Sequence, residues 1–263
     1  MTSSAPVFDH VRLERSGPVA VVTMNRPDRR NALSIAHMRE LTAALTTVGA
    51  DADCAAVVLA GAGPAFCAGH DLAEMAGADA AFLEEEFRVC TRLMETIQAI
   101  PQPVIAAVHG IATAAGCQLA ATCDLVVAAD DARFATPGVR IGLFCSTPMV
   151  ALTRAVGRKK AMEMLLTGDP IDAHEARASG LVNRVVPAGE LMDAAMALAG
   201  RIAQASRPVV GVGKQAFYRQ IELPQEEAYA LTADVMVANA AMADAHEGIC
   251  AFLEKRPPEW RHA

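Results

Sequence analysis

The stretch Ala112-Thr113-Ala114-Ala115-Gly116-Cys117-Gln118-Leu119-Ala120-Ala121-Thr122-Cys123-Asp124 decides how this chain is read. The apolar run Pro103 to Val108 leads into it and reads as a buried strand, and His109-Gly110 marks a turn. Small residues then crowd the start of a predicted helix, so a ligand can approach the backbone closely there. Free N–H groups at such an end, backed by the helix dipole, can hold an anion. A second Gly-punctuated turn, Phe66-Cys67-Ala68-Gly69-His70-Asp71-Leu72, lies about forty residues upstream. Two such turns converging on one carbonyl oxygen would form a paired-donor oxyanion site.

The chain has 263 residues, enough for one large domain or a domain with an appendage. Hydrophobic residues make up 53% and aromatics only 4%, so the core must be built from Ala, Val, Leu, Ile and Met, as in α/β proteins. No apolar run reaches the roughly 18–20 residues of a membrane span. Met-Thr-Ser-Ser-Ala-Pro has no basic region followed by an apolar segment, so a cytoplasmic location is expected. Seven scattered cysteines, without CxxC spacing, read as reduced and mostly buried thiols, and no metal site is expected. A net charge of −7 argues against nucleic acid and requires a local basic patch for any phosphate-bearing ligand.

Val7 to Leu13 and Val19 to Met24 read as a hairpin about Ser16-Gly17-Pro18. A polar loop with Arg26, Arg29 and Arg30 follows. Ser34 is the expected N-cap of a helix whose stripe is Met38, Leu41, Leu45 and Val48. Ala55 to Ala60 is a buried strand, and Ala80 to Ile100 an amphipathic helix stopped by Pro101 and Pro103. Asp124 to Ala129 and Leu181 to Val186 are strands, Thr147 to Val156 and Lys159 to Leu166 helices, and Asp172 caps a short helix ending at Gly180. From Gly189 onward the pattern is helical, broken near Arg207-Pro208 and Leu223-Pro224. No internal repeat is visible. Ala60-Gly61-Ala62-Gly63 begins like a dinucleotide fingerprint but has Phe66 where the third glycine belongs.

The two turns and their surroundings resemble the crotonase, or enoyl-CoA hydratase/isomerase, superfamily. The resemblance rests on Asn25-Arg26-Pro27 with Asn31-Ala32-Leu33, Phe66 to Leu72, Pro103 to Gly110, Ala115-Gly116-Cys117-Gln118-Leu119 and Cys123-Asp124. It continues through Phe134-Ala135 with Pro137, Gly142, Thr167-Gly168, Gly180-Leu181-Val182 and Glu247 to Pro257, covering nearly the whole chain in order. It implies an α/β crotonase (ClpP/crotonase-like) fold, a spiral of ββα repeats over residues 1–200, with a C-terminal helical trimerisation region over 201–263. It also implies an acyl-CoA thioester as partner, with coenzyme A as part of the substrate and no tightly bound cofactor. Self-association as a homotrimer, or a hexamer of two trimers, belongs to the same expectation.

By position, the resemblance makes the backbone N–H groups of His70 and Ala115 the oxyanion donors. Arg26, Arg29, Arg30, Ala68, Asp71, Leu72, Gly116, Phe252 and Lys255 form the expected coenzyme A set, the cations serving the phosphates. As a residue type, Asp71 also reads as a helix cap, and Asp124 as a tie between turns. Hydratases of the family carry two glutamates where this chain has Gln118 and Gly138. Adding water needs a base for the water and an acid for the α-carbon, and neither an amide nor glycine titrates. Gln118 can orient a water but not deprotonate it. His70 is the candidate proton carrier. The Ala68-Gly69-His70-Asp71 form of its turn is similar to that of methylmalonyl-CoA decarboxylase in the same superfamily. A non-catalytic acyl-CoA-binding protein is the third possibility. Cys145 is expected to line the acyl pocket as an inert thiol, and Glu84, Glu85 and Glu86 to form a solvated face.

Overall fold

Gly17, with φ +58°, turns the chain between strands β1 (Val11–Ser16) and β2 (Val19–Met24), which pair antiparallel. The computed structural model describes residues 8–262. The first strand therefore begins later than expected, and Val7 lies outside the described residues. β2 then pairs in parallel with β3 (Ala56–Gly61), and β4 (Val104–Val108), β6 (Leu125–Ala129) and β9 (Arg184–Val186) extend the sheet in the order β1-β2-β3-β4-β6-β9. Ala-Val-Val-Leu-Ala and Val-Ile-Ala-Ala-Val are apolar at every position because central parallel strands are covered on both faces.

Alternate side chains serve the two faces. Val57, Leu59, Ala106, Val108 and Ala128 pack with helices α1 (Ile35–Gly49), α3 (Ala80–Ala99) and α4 (Ala115–Thr122). Ala56, Val58, Ile105, Ala107 and Val127 meet Leu191, Ala195 and Ala199 of α8 (Leu191–Ile202). Ser34 caps α1 as expected, accepting from the His37 amide at 3.2 Å, and Met38, Leu41, Leu45 and Val48 are all buried.

A smaller sheet joins β5 (Ile111–Thr113), β7 (Arg133–Ala135) and β8 (Ile171–Asp172). Two single-residue bridges, Leu33 with His70 and Cys67 with Ala112, prolong this second layer. The chain therefore repeats one path: a main-sheet strand, a brief pairing in the second layer, then a helix. β2, Leu33 and α1 make one turn. β3, Cys67 to His70 and the short α2 (Leu72–Met75) with α3 make the next, and β4, β5 and α4 a third. This is the expected spiral, and it corrects the reading that the chain has no internal repeat. The repeating unit is geometric, and some of its second-layer strands are one residue long.

β6 and β7 lead to α5 (Ser146–Ala155) and α6 (Arg158–Thr167), then α7 (Ala173–Ala178), capped by Asp172. After α8 come α9 (Arg207–Gln220), α10 (Gln225–Ala240) and α11 (Ala243–Glu254). Lys214 ties α9 to the core. Its buried ammonium donates to the carbonyls of Ile97 and Gln102 at 2.7 and 2.9 Å and to Asp124 Oδ2 at 2.7 Å, while Tyr218 donates to Asp124 Oδ1 at 2.8 Å. Asp124 also accepts from the Val104 amide at 2.6 Å, so its expected tying role holds. Among the described residues no helix is long and apolar enough to cross a membrane.

Candidate active site

The two glycine turns lie against each other. The Cys67 amide donates to Ile111 O and the Thr113 amide to Cys67 O, both at 3.0 Å, which pins the first turn along β5. Gly116 makes the closest approach: a Cβ there would stand 2.2 Å from Cys67 O. At Gly69 (φ +91°) a Cβ would lie 3.0 Å from Thr113 O and 3.5 Å from the Ala115 nitrogen. Both glycines are present because backbone must touch backbone here.

Residues 111–113 are strand rather than helix, and the helix starts only at Ala115. Ala114 makes the reversal with φ 51° and ψ −117°, a conformation that strains a residue with a Cβ. Ala115 is thereby the first residue of α4, where no intrahelical acceptor exists for its amide. At His70 the bridge to Leu33 uses the flanking groups, Leu33 N–H to Gly69 O and Asp71 N–H to Leu33 O. Among the described residues neither the His70 nor the Ala115 amide donates to a protein acceptor.

Both residues line a cavity of about 500 Å³. Its walls are mainly apolar, including Leu72, Met75, Phe87, Phe144 and Pro148. Inside it the His70 ring sits edge-on to Phe87, centroids 5.5 Å apart, and Nδ1 is 2.9 Å from Glu86 Oε1. That is ion-pair distance, although the orientation misses that of a directed hydrogen bond. Both ring nitrogens and both Glu86 oxygens are left without hydrogen-bond partners among the described residues. Glu86 is completely buried, which corrects the expected solvated glutamate face. Glu85 does fit that expectation, pairing with Arg39 and Arg88.

Of the other expected residues, Ala68 and Leu72 line the cavity, and Gly116 lies beneath it against Cys67. Arg26 is not a free cation: it donates to Ala32 O at 2.5 Å and to Asp71 Oδ2 at 2.9 Å. Asp71 is correspondingly a buried cap, accepting from the Ala73 amide as well, rather than a ligand-facing group. Arg29 and Arg30 are exposed, and Arg30 O accepts from the Ala68 amide, which sets that loop beside the first turn. Phe252 and Lys255 are exposed on and just after α11 and do not line the cavity within one chain.

Gln118 is buried and not at the cavity wall. Its Oε1 lies 4.0 Å from Cys90 Sγ, between α4 and α3. At Gly138, which lines the cavity, a Cβ would meet Leu143 O at 2.8 Å and Cys145 Sγ at 2.9 Å. The loop is built for glycine, and a glutamate cannot be restored there without moving it. Cys145 lines the cavity, and burial pushes its thiol above the usual range, which suits the expected inert role. No His, Cys, Asp and Glu cluster suited to a metal occurs among the described residues.

The sequence model for "Enoyl-CoA hydratase/isomerase" matches residues 14–263. A human protein named "enoyl-CoA hydratase domain-containing protein 3, mitochondrial" is 48% identical over 244 residues, covering 92% of this chain and 80% of its own. A Mycobacterium tuberculosis protein named as a probable enoyl-CoA hydratase is 39% identical over 259 residues, covering 97% and 99%. The crystal structure of an enoyl-CoA hydratase of Mycobacterium smegmatis superposes with a TM-score of 0.93 at 51% identity, covering 95% of this chain and 98% of that one. The human domain-containing protein 3 structure superposes equally well, at 0.93 and 45% identity over 95% and 100%.

Proposed function

The chain belongs to the enoyl-CoA hydratase/isomerase family, and from that premise we propose that it binds an acyl-CoA thioester and stabilises its enolate between the His70 and Ala115 amides, with the His70 imidazole carrying the proton at the α-carbon. The observation that supports this reading most is the imidazole itself, within the cavity that both unpartnered amides line. An enolate oxygen gathers charge as the reaction proceeds, and preorganised donors in a dry site favour it. Losing one such donor costs about 3–4 kcal/mol in comparable sites.

Among reactions of such an enolate, decarboxylation of a malonyl-type thioester fits these residues best. The bond from the α-carbon to the carboxylate breaks, its electron pair forms the enolate, and carbon dioxide leaves. Nε2 of the imidazolium then gives its proton to the α-carbon, and solvent restores it. No water need be activated, so the missing glutamate pair is not required. Ordinary hydration is disfavoured because Gln118 is turned into the α3–α4 seam and Gly138 has no room for a side chain.

Arg29 and Arg30 are the cations offered to the coenzyme A phosphates, with Phe252 and Lys255 supplied from a neighbouring copy. Exposed Phe217, Tyr229, Met236, Val237, Phe252 and Leu253 on α9 to α11 support a homotrimer or hexamer. Sedimentation should therefore give a multiple of the 27.6 kDa chain; a monomer at micromolar concentration contradicts this part. The cytoplasmic location stays within the proposal. Free thiols suit a reducing compartment, including the mitochondrial one in the vertebrate relatives' names.

Product screening tests the reading. A malonyl-type thioester should release carbon dioxide, and His70→Ala should lose that activity. Hydration of crotonyl-CoA at normal enzyme rates, abolished by Gln118→Ala, would overturn it. Saturable binding without any product would make the chain a non-catalytic acyl-CoA-binding protein.

A further inference from the structure

Three glutamates follow one another on α3, and only the third is enclosed. Glu86 continues the buried stripe formed by Val89, Cys90, Leu93 and Ile97, a position that helical periodicity reserves for an apolar side chain. A carboxylate at that depth loses its hydration and needs a partner in return. Among the described residues its one basic neighbour within ion-pair distance is His70, Nδ1 to Oε1 at 2.9 Å. His70 in turn sits in the turn that supplies one of the two free amides, so backbone and ring are placed together.

We propose that Glu86 is a positioning residue for His70, holding Nδ1 so that Nε2 is the nitrogen that exchanges a proton with the substrate's α-carbon. This rests on the reading of His70 as proton carrier. When the enolate is protonated, the Nε2–H bond breaks and the new C–H bond forms. The imidazole keeps its proton on Nδ1, towards Glu86. Without Glu86 the neutral ring can place its proton on either nitrogen, and the charged ring loses its counter-ion.

The other titratable groups around the pair do not compete for this role. Cys90, one turn along α3, and Cys67, under the first turn, are pushed up to about 12 by burial and stay neutral thiols. Cys145 across the cavity is raised by burial too. Asp71, next in the chain, is bound to Arg26, and Arg140 at the cavity is bound to Asp169.

The test uses the full chain as Glu86→Gln and Glu86→Leu. Nitrogen-15 NMR of the His70 ring should show a titration midpoint lowered by about one pH unit or more in both, since an adjacent anion favours imidazolium. In the leucine variant the neutral tautomer should also shift from Nδ1–H towards Nε2–H. Exchange of the α-proton of butyryl-CoA with D2O should fall about 10²-fold in kcat, with KM nearly unchanged. Its pH profile should move down with the ring's midpoint. The leucine variant should melt no lower than the parent, whereas a carboxylate kept for packing would lower Tm when replaced. An unchanged His70 midpoint and tautomer in both variants overturns the role of Glu86. Absence of exchange in the parent chain, with the midpoint still responsive, overturns instead the reading of His70 on which it rests.

Discussion

Ala114 holds the least favourable backbone conformation near the site, φ 51° and ψ −117°, between β5 and the first residue of α4. A Cβ in that region costs about 1–3 kcal/mol, part of which glycine returns through its larger unfolded-state entropy. Ala114→Gly should therefore raise stability by about 1 kcal/mol in urea unfolding, and an unchanged or lower midpoint would show the turn to be unstrained. The strain is local to the reversal that leaves the Ala115 amide without an acceptor among the described residues, so that amide is kept free at a cost in stability. Single residues also show where reading the chain succeeds. Gly69 and Gly116 announce close backbone contact whatever surrounds them, which is why the meeting of the two turns is legible. Glu86 is not, because three adjacent acids look solvated. Its helical phase with Cys90, Leu93 and Ile97 was the signal available. Arg26 misleads for the opposite reason: a cation in a polar, arginine-rich loop looks free until Asp71 is found beside it in space.

At the scale of elements, α1 carries a pH sensor of folding. His37 lies in its buried face with Nδ1 3.2 Å from Ala32 O, and burial pushes its pKa from 6.5 down to about 4. The native ring stays neutral while the unfolded chain takes up a proton below about 6.5, so the unfolded state binds more protons between those values. Stability from this group is full above about pH 6.5, declines as pH falls through that window, and has lost about 3 kcal/mol by pH 4. Urea midpoints between pH 7 and 4.5 should follow that slope in the parent and flatten in His37→Gln; equal slopes would contradict it. Long helices are readable from their periodicity, as in Ala80–Ala99, and central main-sheet strands from an unbroken apolar run, as in Val104–Val108. β5 is not. Three residues have no period, and Ile111–Thr113 become strand through their pairing with β7 and the bridge to Cys67.

Across the whole molecule, the spiral depends on contacts between distant segments, so its repeat is invisible along the chain. The last helices are joined to it through a buried charge. Lys214 satisfies two carbonyls and one carboxylate of the core, and Asp124 answers with a second bond from Tyr218. Removing one member of such a buried pair strands the other, at a cost of about 3 kcal/mol or more. Lys214→Ala should lower the unfolding midpoint accordingly, and a change under about 0.5 kcal/mol would mean that α9 is held by its apolar contacts instead. The same scale sets the site: β3, β4 and their following turns bring Ala68, His70 and residues 113–115 to one cavity wall, and α3 adds Phe87 to it, with Glu86 buried beside His70. Every enolate-forming reaction at that wall must pass protons at the α-carbon, whatever follows. The most direct measurement is therefore deuterium incorporation at the α-carbon of butyryl-CoA in D2O, read by mass spectrometry. The account predicts enzyme-dependent incorporation that falls by about 10²-fold or more in His70→Ala. Incorporation that is absent from the parent despite saturable binding, or indifferent to His70, would contradict it.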